Sequence, residues 1–349
     1  MALALAVECA GNNTRAEILN ALGVTYDELV ANLPIVYSLL TVEYKFDGAI
    51  YGMINFGNSI WINEDTAVKE DTIQSLADKF CAYAYPADFK GDNATANDDV
   101  RKFIKNQTKG LIDNNYNFST ETLVLLINTL YLKDAWALEN DLMFSDKYYS
   151  FKNGDNTTTN KRLLIGEYID GKVYEGENYS TFYTSTANGY ELKFILPNEG
   201  VNVDDIMTSS NIAQVNAIND YNAVDDVNYI KYKTRCFFPE FSADYDADIN
   251  NAIKELGIND LLDDRCDFTP LLDEPVFCDR IIHTAKISVD DKGIEGAAVT
   301  ILAMNGTSAP IGPTYTTVYN DFIIDRAFGF IITNKFGVTL FTGVISSIE

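Results

Sequence analysis

The side chains able to do acid, base or nucleophilic work are few in kind. One histidine, His283, stands in 349 residues, so any Ser-His-Asp or Cys-His arrangement would have to run through it. No Gly-x-Ser-x-Gly elbow precedes it, and no His-Glu-x-x-His helix is present. Its neighbours, Arg280 to Ile287, alternate apolar and polar as in a half-buried strand, which predicts a hydrogen-bonded core histidine and not a catalyst. The cysteines Cys9, Cys81, Cys236, Cys266 and Cys278 are widely spaced, odd in number and without a Cys-x-x-Cys pair. Neither a zinc site nor a disulfide framework is expected from them. Lys292-Gly293 leads into Ile294 with no phosphate-loop glycine spacing before it, and no metal or cofactor is expected. Carboxylates are plentiful but scattered as a solvated surface requires, so a carboxylate-pair hydrolase is a distant alternative.

Charge removes further classes. The 26 Lys and Arg against 51 Asp and Glu leave a net charge of −25, which repels phosphate backbones and anionic membranes. No nucleic acid and no membrane partner is expected, and the basic residues do not gather into a heparin-like site. With 47% hydrophobic residues the chain can nonetheless bury a large core, which argues against disorder. The longest apolar runs, such as Thr122 to Leu132, are interrupted and fall short of the roughly 20 residues a membrane helix needs, so a soluble protein is expected. Met1 to Val7 lacks a basic start and is too short for the apolar part of a signal peptide. Cytoplasmic and extracellular compartments both stay open, and sequons such as Asn93-Ala94-Thr95 and Asn156-Thr157-Thr158 would matter only in a secreted chain.

The elements that must carry any site change character along the chain. Residues to about 110 read mainly as helices: Asn13-Thr14 caps Arg15 to Leu22 before Gly23, and Asp99 to Lys109 ends at Gly110. Thr122 to Leu132 is a nearly continuous run of strand formers, as expected at the centre of a large sheet covered on both faces. Tyr190 to Leu196, Asn228 to Phe238 and Ile282 to Val289 read as strands, and Asn250 to Leu256 as a short helix. Phe328 to Ile332 and Val338 to Val344 flank Asn334-Lys335-Phe336-Gly337 as a C-terminal hairpin. Helices first and many strands later predict an α+β fold with helices packed on large sheets, in one domain over 1–349 with no internal repeat.

One segment breaks the pattern. The 33 residues between Lys292 and Arg326 contain no Lys or Arg. Asn305 to Asn320 has the Asn-Gly, Ser-Ala-Pro and Gly-Pro composition of an exposed loop, and a structureless loop this long inside a compact domain is usually functional. Its first part, Gly293, Ile294, Glu295, Gly296, Ala297, Ala298, Val299 and Thr300, is made largely of small side chains. An exposed loop gains nothing from that composition, whereas a segment that slides between two strands needs little bulk. In a strand Ile294, Gly296, Ala298, Thr300 and Leu302 would share one face, and that set is wholly uncharged.

At these residues the chain resembles the serpin family of serine protease inhibitors. Leu125-Leu126-Ile127-Asn128-Thr129-Leu130-Tyr131-Leu132-Lys133-Asp134-Ala135-Trp136 is similar to the family's central strand running into its tryptophan. Phe238-Pro239-Glu240-Phe241, Leu256-Gly257-Ile258-Asn259-Asp260, Asp267-Phe268-Thr269, Ile282-His283-Thr284-Ala285, the segment Gly293 to Thr300 and Asp325-Arg326-Ala327-Phe328 follow in family order. The resemblance implies a serpin fold of helices on large mixed sheets with an exposed reactive-centre loop, hinge and loop together spanning 293–321. It also departs from the family: Ala327 stands where a proline is usual, Ile294 where a threonine or serine is, and Gly296 where an alanine is. Met1 falls inside the family's second helix, so a preceding helix, a peripheral strand and the serines that bond the equivalents of His283 and Asn128 are expected upstream of this sequence.

The resemblance implies a monomeric suicide inhibitor that ends in a covalent complex with a serine protease, its cleaved loop inserted beside Thr122 to Leu132. Asn128, Trp136 and His283 would control opening of the sheet and would not do chemistry. With no Lys or Arg in the loop, trypsin-like targets are excluded, and chymotrypsin-, elastase- or cathepsin G-like enzymes are expected, with a cysteine protease as the second class. Family spacing from the hinge places the cut at Thr307-Ser308, and spacing back from Phe328 places it near Thr316. Met304 and Tyr315 are the side chains an apolar pocket would prefer near those positions. The alternative is a non-inhibitory serpin acting as carrier, storage protein or chaperone.

Overall fold

Local sequence sets the helix boundaries. The Thr25 hydroxyl accepts from Glu28 N while the Glu28 carboxylate accepts from Thr25 N at 2.8 Å, a capping box that starts the helix Tyr26–Leu39. Asp92 caps Asn93–Gln107 through Thr95 N at 3.2 Å, so this helix starts six residues before the Asp99 expected from its apolar spacing. The helix expected from Arg15 begins at Asn12 with Gly11 as its uncapped start. Thr14 does not cap it: its hydroxyl accepts from Asp267 N at 3.0 Å. Gly23, at φ 67°, ends that helix in the left-handed conformation that costs glycine least.

The computed structural model describes residues 2–136, 142–218, 221, 223–276, 282–295 and 315–348. Among them are eight α-helices and three sheets, an α+β arrangement. The first sheet runs in the order Val42–Phe46, Ala49–Asn63, Val124–Ala135, Gly293–Ile294, Ile282–Val289 and Phe241–Asp248, with Ala82–Ala87 also on Ala49–Asn63. The second runs Thr339–Ile345, Phe328–Thr333, Glu191–Pro197, Tyr179–Ser185 and Tyr174–Glu175. The third runs Val224–Asp225, Ile230–Phe238, Thr158–Ile165 and Met143–Lys152, with Ile169–Asp170 and Thr316–Ile323 also paired to Ile230–Phe238.

The first 110 residues are mainly helical, as expected, but three strands also lie there, Val42–Phe46, Ala49–Asn63 and Ala82–Ala87. Gly52, Asn55, Gly57 and Asn58 interrupt the 15-residue Ala49–Asn63 and disguise its β-branched and aromatic content. The central strand extends three residues past the expected Leu132, to Ala135, because its polar continuation finds hydrogen-bond partners. The C-terminal hairpin forms as expected. Asn334 Oδ1 accepts from Phe336 N and Val338 N, both at 3.0 Å, and Gly337 takes φ 78°.

The backbone gathers into two compact units. In the first, built from Met1–Glu43, Met53–Leu132 and Asp244–Lys286, the helix Ala2–Cys9 buries Leu5, Val7 and Cys9 with Ile18, Leu76, Phe80, Ile253 and Leu271. A second cluster there sets Trp61 and Ile127 against Val100, Phe103 and Ile104 of the helix Asn93–Gln107. In the other unit, Tyr44–Gly52, Lys133–Ala243 and Ile287–Glu349, the core is aromatic: Phe194 meets Phe238 at 5.0 Å and Phe328 at 5.7 Å between ring centres.

Candidate hinge site

The tight turn Asp290–Gly293 delivers the start of the loop to the first sheet. Asp290 Oδ1 accepts from Lys292 N at 2.9 Å and Gly293 N at 3.1 Å, closing a turn of the kind aspartate builds on its own backbone. Gly293 and Ile294 then pair antiparallel with Ala135 and Asp134 on one side, and Ile294 pairs with Val289 on the other. Asp290 N donates to Gly293 O at 3.0 Å, and Glu295 N to Ser288 O at 2.6 Å. A side chain on Gly293 would collide with the Asp134 carbonyl, so only glycine lets the strands approach here. Ile294 is completely buried. Glu295, at φ 56°, turns the chain out of extended geometry. Gly293 and Ile294, the first two residues of the candidate hinge, thus lie between two strands, and the Ile294 side chain is enclosed there.

Trp136 anchors the same place. Its indole N–H donates to Asp290 O at 2.9 Å, its backbone N to Lys292 O at 3.3 Å, and its ring packs 5.7 Å from Phe238. Two residues before it in sequence stands a buried charged residue. Asp134 is fully buried, and its carboxylate accepts from Asn188 Nδ2 at 2.6 Å and Asn188 N at 3.1 Å. Burial pushes its pKa up to about 6, against the lowering hydrogen bonds of Thr186 and Asn188. Two signals could have found it: an aspartate inside a strand-forming run, and an Asn188-Gly189 turn able to supply donors.

Asn128 and His283 belong to the first unit. Asn128 Nδ2 donates to Asn58 Oδ1 at 2.9 Å and Gly57 O at 3.3 Å, and Asn58 Nδ2 passes the chain on to Phe80 O at 2.9 Å. Asn128 therefore ties the central strand to its neighbour through an amide pair. His283 corrects the expectation of a core histidine. Its side chain is exposed, with Tyr245 6.0 Å away between ring centres, because its face of Ile282–Val289 is left open there. Partial desolvation still holds its pKa below the usual imidazole value. No described contact joins His283 to Asn128.

At the far end of the loop, Tyr315 O–H donates to Asp226 Oδ1 at 2.5 Å, and its ring lies 6.0 Å from Tyr229. Thr316 N donates to Tyr229 O at 2.8 Å and Thr316 pairs with Ile230, opening a parallel ladder that reaches Phe237 and Ile323. Gly296, Ala297, Ala298, Val299, Thr300, Met304, Thr307 and Ser308 lie outside the described residues.

Among the described residues no group of three His, Cys, Asp or Glu could hold a metal ion. Cys9, Cys81 and Cys236 are free thiols, and burial raises those of Cys9 and Cys236 far above the usual value. No described helix is long and apolar enough to cross a membrane.

Comparison with known proteins agrees with this geometry. The family model for serpin, serine protease inhibitor, matches residues 1–348. Neuroserpin of Gallus gallus is 24% identical over 309 residues, 83% of this chain and 70% of that protein. Corticosteroid-binding globulin of Ovis aries is 23% identical over 334 residues, 92% of this chain and 74% of that protein. The thermophilic serpin tengpin in its native state superposes with a TM-score of 0.78 at 22% identity, covering 99% of this chain and 86% of that one.

Proposed function

The chain belongs to the serpin family, and on that premise we propose that it is an irreversible inhibitor of a serine protease that works by loop insertion. The protease serine attacks a peptide bond of the loop, an acyl ester forms, and the new amino terminus leaves. The acylated loop then continues into the sheet from the point where Gly293 and Ile294 already sit. That seat is the observation that carries the reading: the pairing has begun, and the residues that would follow Ile294 on its face, Gly296, Ala298 and Thr300, are small and uncharged.

On the order of 10 new backbone hydrogen bonds, at about 1 kcal/mol each, would accompany full insertion. Burial of Ala298, Thr300 and Leu302 on the inward face adds to that. A fall of this size favours a fast conformational change over slow hydrolysis of the ester, and it requires the native state to be trapped kinetically. The target has a chymotrypsin-, elastase- or cathepsin G-like pocket, since the loop offers no Lys or Arg to a buried carboxylate. Thr307-Ser308, or a bond beside Met304, is the preferred cut. A cut at Tyr315-Thr316 requires Thr316 to unpair from Ile230 and Tyr315 to give up Asp226.

A second reading, a non-inhibitory carrier, is favoured by the likeness to corticosteroid-binding globulin. Incubation with chymotrypsin, elastase, cathepsin G and trypsin, followed by denaturing gels, separates the two. A band at the summed mass of inhibitor and protease, with a released C-terminal peptide of fixed mass, is the expected result. Clean cleavage without that band and without a rise in thermal stability would leave the carrier reading in its place.

A further inference from the structure

The hinge seat contains a group that the trapping chemistry does not use. Asp134 stands directly opposite Ile294 in the antiparallel register, so both side chains project from the same face, and both are fully buried. Gly52 provides the space for the carboxylate, because a side chain there would collide with Asp134 Oδ1. Asn188 donates to both carboxylate oxygens, and the Tyr51 hydroxyl donates to Asn188 Oδ1 at 3.1 Å, which fixes which way the amide points.

The groups around this carboxylate are mostly neutral. The strand Ala49–Asn63 contributes Tyr51, the strand Val42–Phe46 contributes Tyr44, and the turn before Glu191–Pro197 contributes Thr186, Asn188 and Tyr190, whose hydroxyl is 3.5 Å from that of Tyr44. Burial raises the pKa of Tyr51 and Tyr190, so both are neutral across the range considered below. The hinge contributes Ile294 and then Glu295, with Asp290 engaged at the Gly293 amide. Lys133, the next residue on the same strand, projects to the opposite face, and Lys335 approaches the turn at Gly189. No described ion pair neutralises Asp134.

We propose, resting on the loop-insertion reading above, that Asp134 is a positioning residue for the hinge. Its ionisation opposes the seating of Ile294, so Gly293 and Ile294 leave the sheet more readily as pH rises. The physical basis is water. While Ile294 covers the carboxylate, a charge there has hydrogen bonds but no solvent, and withdrawal of Ile294 readmits solvent. The seated form therefore binds the proton more tightly than the released form, consistent with a pKa pushed up to about 6. If release returns Asp134 to the ordinary aspartate value near 3.9, the ratio of released to seated hinge climbs about tenfold per pH unit between about 4 and 6. It levels off above that range, for a ceiling of about 100-fold.

The chain has two tryptophans, so Trp61→Phe leaves Trp136 as the sole reporter, hydrogen-bonded to Asp290 and Lys292 at the hinge. We would titrate its emission from about pH 4.5 to 7.5 and follow hydrogen exchange at the Glu295 amide, corrected for intrinsic exchange. The expected result is an emission transition with a midpoint near 6 and protection of Glu295 that falls as pH rises. Asp134→Asn should flatten both profiles. Asn188→Ala, which removes the donors that stabilise the carboxylate, should move the midpoint up. An unchanged midpoint in either variant overturns the proposal. Neither readout involves a protease, so they decide the matter even if the chain traps none.

Discussion

The two ends of the loop are attached in opposite ways. At the entry, Gly293 and Ile294 make a two-residue strand held by a handful of backbone bonds and one buried side chain. At the exit, Thr316–Ile323 lies along Ile230–Phe238 in an eight-residue parallel ladder. Arg235 adds an ion pair to Asp321 at 2.7 Å, and Tyr315 is clamped by Asp226. The entry is a seam that can lengthen by repeating what it already does. The exit must be dismantled along its whole length before it moves. The difference teaches that the amino-terminal side holds the shorter attachment, the one whose pairing has fewer bonds to rearrange.

The largest effect should come from blocking that lengthening. Ala298→Arg places a charge in the set that must be buried, a penalty of several kcal/mol that nothing opposite would offset. Covalent complex is expected to fall more than about 100-fold, with the loop cut as a plain substrate and the melting temperature unchanged after cutting. A gel band of undiminished intensity would show that insertion does not pass through position 298.

Next in size is damage to the floor of the entry. Phe238 packs on both Trp136 and Phe194 and is fully buried, so Phe238→Ala should cost about 3–5 kcal/mol by chemical denaturation. If the entry is a shallow seam on a rigid floor, this variant should also blue- or red-shift Trp136 emission. A stability loss below about 1 kcal/mol would mean the floor is not part of the core.

Asp134 sharpens the comparison from the other direction. Its carboxyl pKa is higher in the folded chain than in the unfolded one, so between about pH 4 and 6 the folded state binds more protons and stability falls as pH rises. Above that range the ionised, buried group is a standing cost of about 2–3 kcal/mol at most. Asp134→Asn should therefore stabilise the protein at pH 7 and leave it nearly unchanged at pH 4. Equal effects at both pH values would assign the gain to something other than charge.

How much of this could be read beforehand depended on whether a residue's role was local. The central strand and the C-terminal hairpin declared themselves through side-chain type and alternation over neighbouring positions. Ala49–Asn63 did not, because its glycines and asparagines serve partners far away in sequence: Gly52 makes room for Asp134, and Asn58 holds Asn128. Asp134 was hidden for the same reason, its donors lying 54 residues away on a turn. His283 misled because alternation says which side chains share a face and nothing about whether that face is covered.

The smallest effect tests the exit. Tyr315→Phe keeps the ring beside Tyr229 and removes only the hydroxyl that donates to Asp226. A single hydrogen bond at an exposed site is screened by solvent, so the midpoint of global unfolding should hardly move. The backbone ladder from Thr316 onward still holds the strand. Amide exchange at Thr316, whose N–H is bonded to Tyr229 O, should quicken by about fivefold, while Phe322 and Ile323 deeper in the ladder stay protected. If exchange quickened evenly from Thr316 to Ile323, the clamp and the ladder would open as one unit. The exit would then be as ready to move as the entry, and the contrast between them would fail.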